Sequence, residues 1–204
     1  MNINTIIFDL GGVLIDWNPN YVFDKVFEEN EEKKRHFFEH ICTSDWNEEQ
    51  DGGRSIKEAT ELLVNRHPDW KEHIEAYYGR WEEMLGGPIA ETVEVFRELK
   101  DSNRYKLYAL TNWSAELFPI ALKRYDFLHW FDGRVVSGEE KMRKPFPEFY
   151  QLILDRFQLK PETTLFIDDN SRNAKAAEDL GIHTIHFRSA AQLKEKLLEY
   201  NILP

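Results

Sequence analysis

Two hydrophobic rhythms divide the chain. Ile6 to Leu14 is an apolar run interrupted only by Asp9, Gly11 and Gly12, the pattern of a buried strand that carries a carboxylate to its C-terminal tip and then turns tightly. From about Asn18 to Leu85 the apolar residues recur at helical spacing instead. Tyr21, Val22, Val26 and Phe27 make one stripe, Phe37, Phe38 and Ile41 a second, and Ile56, Ala59, Leu62 and Leu63 a third. Ile74, Tyr77, Tyr78, Trp81 and Leu85 make a fourth. No strand is expected in this block, and Gly86-Gly87-Pro88 closes it as a hinge or boundary.

Beyond Ile89 the period switches back and forth. Strands are expected at Lys106–Leu110, Gly133–Val136, Thr164–Ile167 and His183–His186, with helices at Glu91–Lys100, Ala115–Tyr125, Pro147–Phe157, Ser171–Leu180 and Ala190–Glu199. Such alternation demands right-handed crossovers, hence an α/β fold with a parallel sheet and helices on both faces. The first strand has no other sheet to join. Residues 1–16 and 87–204 are therefore expected to form one core, with 17–86 inserted as a helical cap.

Composition narrows the partners. The 204 residues are 42% hydrophobic and 31% charged, ordinary for a globular protein with one sizeable core and a subdomain. Lys+Arg 26 against Asp+Glu 37 gives a net charge of -11, which argues against nucleic acid or an anionic membrane as the main partner; an anionic ligand then needs a local basic pocket. Cys42 is the only cysteine, so no internal disulfide is possible. With no basic leader and no apolar run of about 20 residues, a cytoplasmic location is expected.

Candidate chemistry sits where strands end. The strand Lys106–Leu110 runs into Thr111-Asn112-Trp113-Ser114, a hydroxyl and an amide ahead of an expected helix whose free N–H groups would favour an anion. Helix capping is the alternative role for Thr111 or Ser114. Lys144 lies in a proline-stiffened turn, Lys144-Pro145-Phe146-Pro147, before another helix, and Asp168-Asp169 sit together at a strand tip with Asn173 one turn on. If the first and fourth core strands are neighbours, Asp9, Asp168 and Asp169 converge. Three clustered carboxylates repel unless a cation binds or protons are taken up. A hard divalent ion such as Mg2+ suits that demand, with Lys144 and the Thr111 hydroxyl available to phosphate oxygens.

Phe8-Asp9-Leu10-Gly11-Gly12-Val13, Leu110-Thr111-Asn112, Lys144-Pro145 and Asp168-Asp169, in this order, resemble the four motifs of the haloacid dehalogenase (HAD) superfamily, and the resemblance spans nearly the whole chain. It implies a Rossmann-like sheet of order 5-4-1-2-3, helices on both faces and a helical cap inserted after the first motif. It implies Asp9 as nucleophile, Lys144 as the group orienting nucleophile and phosphate, and phosphate binding by Thr111, Asn112 and Lys144. It also implies Mg2+ held by Asp9, the Gly11 carbonyl, Asp168 and Asp169. The expected partner is a small phosphorylated metabolite, with the protein a monomer or homodimer.

One departure matters. Most phosphatases of this superfamily carry a second Asp two residues after the nucleophile, where this chain has Gly11. Positioned proton transfer is worth roughly two to four powers of ten in rate, so its loss favours better leaving groups, and the resemblance includes phosphatases of glucose 1-phosphate. A 2-haloacid dehalogenase, which expels halide and needs no such acid, is the rival, but that chemistry does without the metal acids Asp168 and Asp169 and without the base that Asn173 replaces. A catalytically weak binding or regulatory module is a third alternative. Trp17, Trp46 and Arg54 are candidates for substrate contact from the cap, with packing as the alternative for the tryptophans and a solvated charge for Arg54. Asp16 is read as a flap acid with a capping role, or as a substitute proton source. His183 and His186 are read as structural, away from the strand tips.

Overall fold

The computed structural model describes residues 2–28 and 30–203. Its first strand, β1 (Thr5–Phe8), is buried along its whole length, as a mostly apolar strand requires when both sheet faces are covered. The chain continues through β2 (Ile15–Trp17) into α1 (Asn20–Val26), α2 (Glu31–His40), α3 (Ser44–Asp51), α4 (Ile56–Arg66) and α5 (Lys71–Gly79), and returns by β3 (Leu85–Pro88). Then follow α6 (Ala90–Asp101), β4 (Lys106–Thr111), α7 (Phe118–Arg124), β5 (Gly133–Val136), α8 (Ser137–Glu140) and α9 (Pro147–Phe157). The last elements are β6 (Thr164–Asp168), α10 (Ser171–Glu178), β7 (His183–His186) and α11 (Ala190–Glu199).

The five-stranded sheet has the order β5-β4-β1-β6-β7, and all four of its pairings are parallel. Counting only these five strands, this is the expected 5-4-1-2-3 order read from the other edge. Side chains alternate across it. Ile6, Phe8, Leu107, Ala109, Leu165 and Ile167 join one buried cluster with Phe96 and Leu99 of α6 and Leu193 and Leu197 of α11. Ile7, Tyr108, Leu110 and Phe166 join the other, under Phe149, Tyr150, Ile153 and Leu154 of α9. Register places Phe8 beside Ala109 and Ile167, so the residues that follow these strands emerge at one rim.

Two expectations are corrected. Gly86-Gly87-Pro88 is not a bare hinge: β3 pairs antiparallel with β2, Ile15 opposite Pro88 and Asp16 opposite Gly87. The pairing uses backbone, which a reading of side chains cannot see. The helix expected from Ala115 begins at Phe118, because Pro119 suits a first turn and the preceding N–H groups of Leu117 and Phe118 bond back to the Ser114 carbonyl. In the helical block the expected stripes are buried at Val22, Phe27, Phe37, Ala59, Leu63 and Tyr77; Tyr21 and Leu62 are instead 40% and 44% exposed, and Phe23 is fully buried beside Val22.

Candidate active site

The tips of β1, β4 and β6 and the turn before α9 meet at the rim of the sheet. Lys144 is completely buried and its Nζ lies 2.9 Å from Asp9 Oδ2 and 2.7 Å from Asp168 Oδ2. The turn that carries it is held by Asn112, whose Nδ2 donates to the Lys144 carbonyl at 3.0 Å and whose Oδ1 accepts from the Lys144 N–H at 2.8 Å. Asn112 thus clamps the lysine loop, a task beyond the phosphate contact expected of it. Asp168 also accepts from the Asn170 N–H and from Asn173 Nδ2, and the backbone of Asn173 is fixed by the Tyr150 hydroxyl.

The electrostatics follow from crowding. Burial pushes the Asp9 carboxyl above the usual carboxylate range; Lys144 opposes this, while Asp168 and Asp169 add to it. Asp169 is raised as well, by burial and by the charge of Asp168. Burial alone would depress the Lys144 ammonium, but the charges of Asp168 and Asp9 outweigh it and hold it above its ordinary value. Oxygens of Asp9, Asp168 and Asp169 lie within 4.8 Å of one another. With one ammonium among three carboxylates, full ionisation leaves two uncompensated negative charges, and the all-oxygen donor set suits a hard divalent cation.

The two glycines after Asp9 differ. A Cβ on Gly12 would lie 2.2 Å from Asp169 Oδ2, and its φ is +72°, whereas a Cβ on Gly11 would have nothing within 4 Å. Gly12 is demanded by backbone and neighbour; Gly11 leaves open space where an acid would fit.

Beside this cluster lies a cavity of about 120 Å3 lined by Gly11, Trp17, Asp51, Tyr78, Asn112 and Trp113 among others. The Thr111 hydroxyl and the indole N–H groups of Trp17 and Trp113 are buried with no hydrogen-bond partner among the described residues, a costly state that ligand oxygens would relieve. Of the three aromatic and basic candidates, only Trp17 lines the cavity. Trp46 packs edge-on to Tyr77 at 5.3 Å, and Arg54 bonds to Gln50 Oε1 and the Trp46 carbonyl. Asp16 accepts from the Tyr21 hydroxyl and lies against Gly86, a structural placement.

Two residues at the site were not expected there. His186 lies at a strand tip after all: it pairs in register with Asp168, and its Nε2 lies 2.9 Å from the Asp169 carbonyl. Asp51 ends α3, and burial with the Glu48 charge pushes its carboxyl up to about 7, against the Ser114 N–H, Arg143 and Lys144. The available signal was the Gly52-Gly53 turn that follows it.

Among the described residues no helix is long and apolar enough to cross a membrane. A sesquiterpene phosphatase of Aspergillus oryzae is 28% identical over 180 residues, 88% of this chain and 87% of that protein. A phosphorylated carbohydrates phosphatase of Thermotoga maritima is 28% identical over 188 residues, 89% of this chain and 83% of that one. The solved structure of a HAD family enzyme from Bacteroides thetaiotaomicron, in complex with magnesium and inorganic phosphate, superposes with a TM-score of 0.67 at 26% identity, covering 92% of this chain and 95% of that one. The model of the haloacid dehalogenase-like hydrolases matches residues 3–181, and the chain belongs to that family of enzymes.

Proposed function

We propose that the protein is a Mg2+-dependent phosphomonoesterase that acts on a small phosphorylated metabolite through an aspartyl-phosphate on Asp9, with residues 17–86 as the cap over the site. The observation that carries this reading is the convergence of Asp9, Asp168 and Asp169, with the buried Lys144 ammonium paired to the first two. Asp9, the Gly11 carbonyl, Asp168 and Asp169 would hold the metal, which when bound neutralises the acids and the phosphoryl oxygens. An Asp9 carboxylate oxygen attacks phosphorus, the bond to the leaving oxygen breaks, and water then hydrolyses the aspartyl-phosphate, so one displacement becomes two. Lys144 orients Asp9 and favours its ionised form against burial, and the unpartnered Thr111 hydroxyl is available to a phosphoryl oxygen. The excess of acids disfavours the dehalogenase alternative, since a substrate carboxylate beside them would be repelled.

The cavity suits a compact leaving group with hydroxyls, because its aromatic walls carry the unpartnered indole donors of Trp17 and Trp113. A sugar 1-phosphate meets that description, and its hemiacetal oxygen leaves more readily than an ordinary alcohol. The test is phosphate release from a panel of sugar and aryl phosphates, with magnesium and with a chelator, using Asp9→Asn as the blank. Metal-dependent release above the blank, with sugar 1-phosphates among the substrates, is expected. No release from any ester, or release untouched by the chelator, would sink the reading.

A further inference from the structure

We propose that Asp51, reaching down from the cap, is the proton donor and acceptor that stands in for the acid missing at Gly11. This rests on the phosphomonoesterase reading above and adds a residue to its chemistry.

The placement is built by both layers of the protein. Asp51 is the last residue of α3 and lines the same cavity as Gly11 and Asn112. One hydroxyl ties it to the loop after β4: Ser137 Oγ donates to the Asp51 carbonyl at 2.5 Å and accepts from the Trp113 backbone N–H at 2.8 Å. The turn after it is seated on the core, because Gly53, with φ +100°, packs against Lys141 and the Gly138 carbonyl. On its own helix Asn47 Nδ2 donates to Asp51 Oδ2 at 3.2 Å, and Asn47 Oδ1 accepts from the Tyr78 hydroxyl, which orients the amide.

No cation pairs directly with this carboxyl among the described residues. The charged and titratable groups that face it are Glu48 on its own helix, Tyr77 and Tyr78 of α5, and Arg143 and Lys144 of the core loop, with the Ser114 N–H toward the carboxyl. Arg143 is engaged by Glu48 at 2.7 Å and Lys144 by Asp9 and Asp168. A carboxyl so placed keeps its proton near neutrality, as a general acid must.

The chemistry balances. As Asp9 bonds to phosphorus and the ester P–O bond breaks, the Asp51 proton passes to the leaving oxygen and an alcohol departs. The Asp51 carboxylate then takes a proton from the water that attacks the aspartyl-phosphate, which restores Asp51 and frees Asp9 as phosphate is released.

The decisive measurement is kcat/KM, which reports through departure of the leaving group, for a series from p-nitrophenyl through phenyl to alkyl phosphate at saturating magnesium. Asp51→Asn is expected to lower it roughly 10²- to 10⁴-fold for the alkyl ester and only a few-fold for p-nitrophenyl phosphate, which should instead show a burst of p-nitrophenol. Gly11→Asp in the Asp51→Asn background should restore the alkyl ester, since the space at Gly11 is open. The unmutated chain gives the same test without a substitution: its leaving-group dependence should be shallow at pH 5.5 and steep at pH 9, where Asp51 has lost its proton. An equal fall for every ester, or the same dependence at both pH values, would overturn the assignment while leaving the phosphatase reading intact. No release from any ester by the unmutated chain would overturn both.

Discussion

At the scale of single residues, the gathering of polar side chains was readable wherever the chain announces a strand tip. Asp9, Thr111, Lys144 and Asp168 each end a hydrophobic run or sit in a turn marked by glycine or proline, and the structure draws Asp9, Asp168 and Asp169 together, with Lys144 paired to Asp9 and Asp168. Asp51 and His186 were not readable. Asp51 closes a helix whose only large apolar residue is Trp46, so it looks like a solvated charge; its half-buried place beside the cavity is shared with Trp113 and tied through its carbonyl to Ser137, both distant in sequence. The two motif glycines offer a sharp contrast. Gly12→Ala is expected to cost about 1–2 kcal/mol for the left-handed backbone alone and, by displacing Asp169, to abolish most metal-dependent turnover. Gly11→Ala should melt within a degree or so of the parent, since its Cβ meets nothing. Thermal melts and phosphate release on the pair check this, and equal effects would count against the role given to Asp169.

Among elements, the sheet and the helices on its faces follow from hydrophobic period, because β1, β4 and β6 are buried on both sides and α9 presents a single apolar face. The β2–β3 ribbon and the late start of α7 did not follow, since backbone pairing and a proline's preference for a first turn leave little trace in period. Contact between α3 and α4 and the core was equally hidden, being polar: Glu48 of α3 bridges Arg143 at 2.7 Å and Arg172 at 2.8 Å, and Glu116 accepts from the Ile56 N–H at the start of α4. Partly exposed pairs of this kind contribute no more than about 1 kcal/mol, so Glu48→Gln should change stability little. Its effect on proton transfer should be larger. The Glu48 charge raises the Asp51 carboxyl; removing it leaves Arg143 and Lys144 to pull that carboxyl down, so the alkaline limb of kcat/KM for an alkyl phosphate should move to lower pH. A limb that stays in place, or moves up, would show that α3 does not set the charge state of Asp51.

For the whole molecule, the acids at the site set how stability responds to pH and to metal. Asp9, Asp51 and Asp169 all hold their protons more tightly folded than unfolded. At these three carboxyls the native state therefore binds more protons than the unfolded chain above about pH 4, and the stability they contribute falls as pH rises. For Asp51 the loss runs from the unfolded carboxylate range up to its folded value of about 7. Magnesium should oppose the part that belongs to Asp9 and Asp169, because a cation bound among them favours the ionised forms that crowding penalises. A ligand at about 100 times its dissociation constant stabilises by roughly 2.7 kcal/mol, which for a chain of this size raises Tm by roughly 5–11 °C. The rise should be larger at pH 7.5 than at pH 5.5, where protons compete for the same oxygens, and it should be lost in an Asp168→Asn, Asp169→Asn double variant. Melting curves at the two pH values, with magnesium and with a chelator, decide the matter without any substrate. A Tm indifferent to magnesium at both would mean that Lys144 and bound protons alone compensate the three carboxylates, and the metal-dependent mechanism would fall with it.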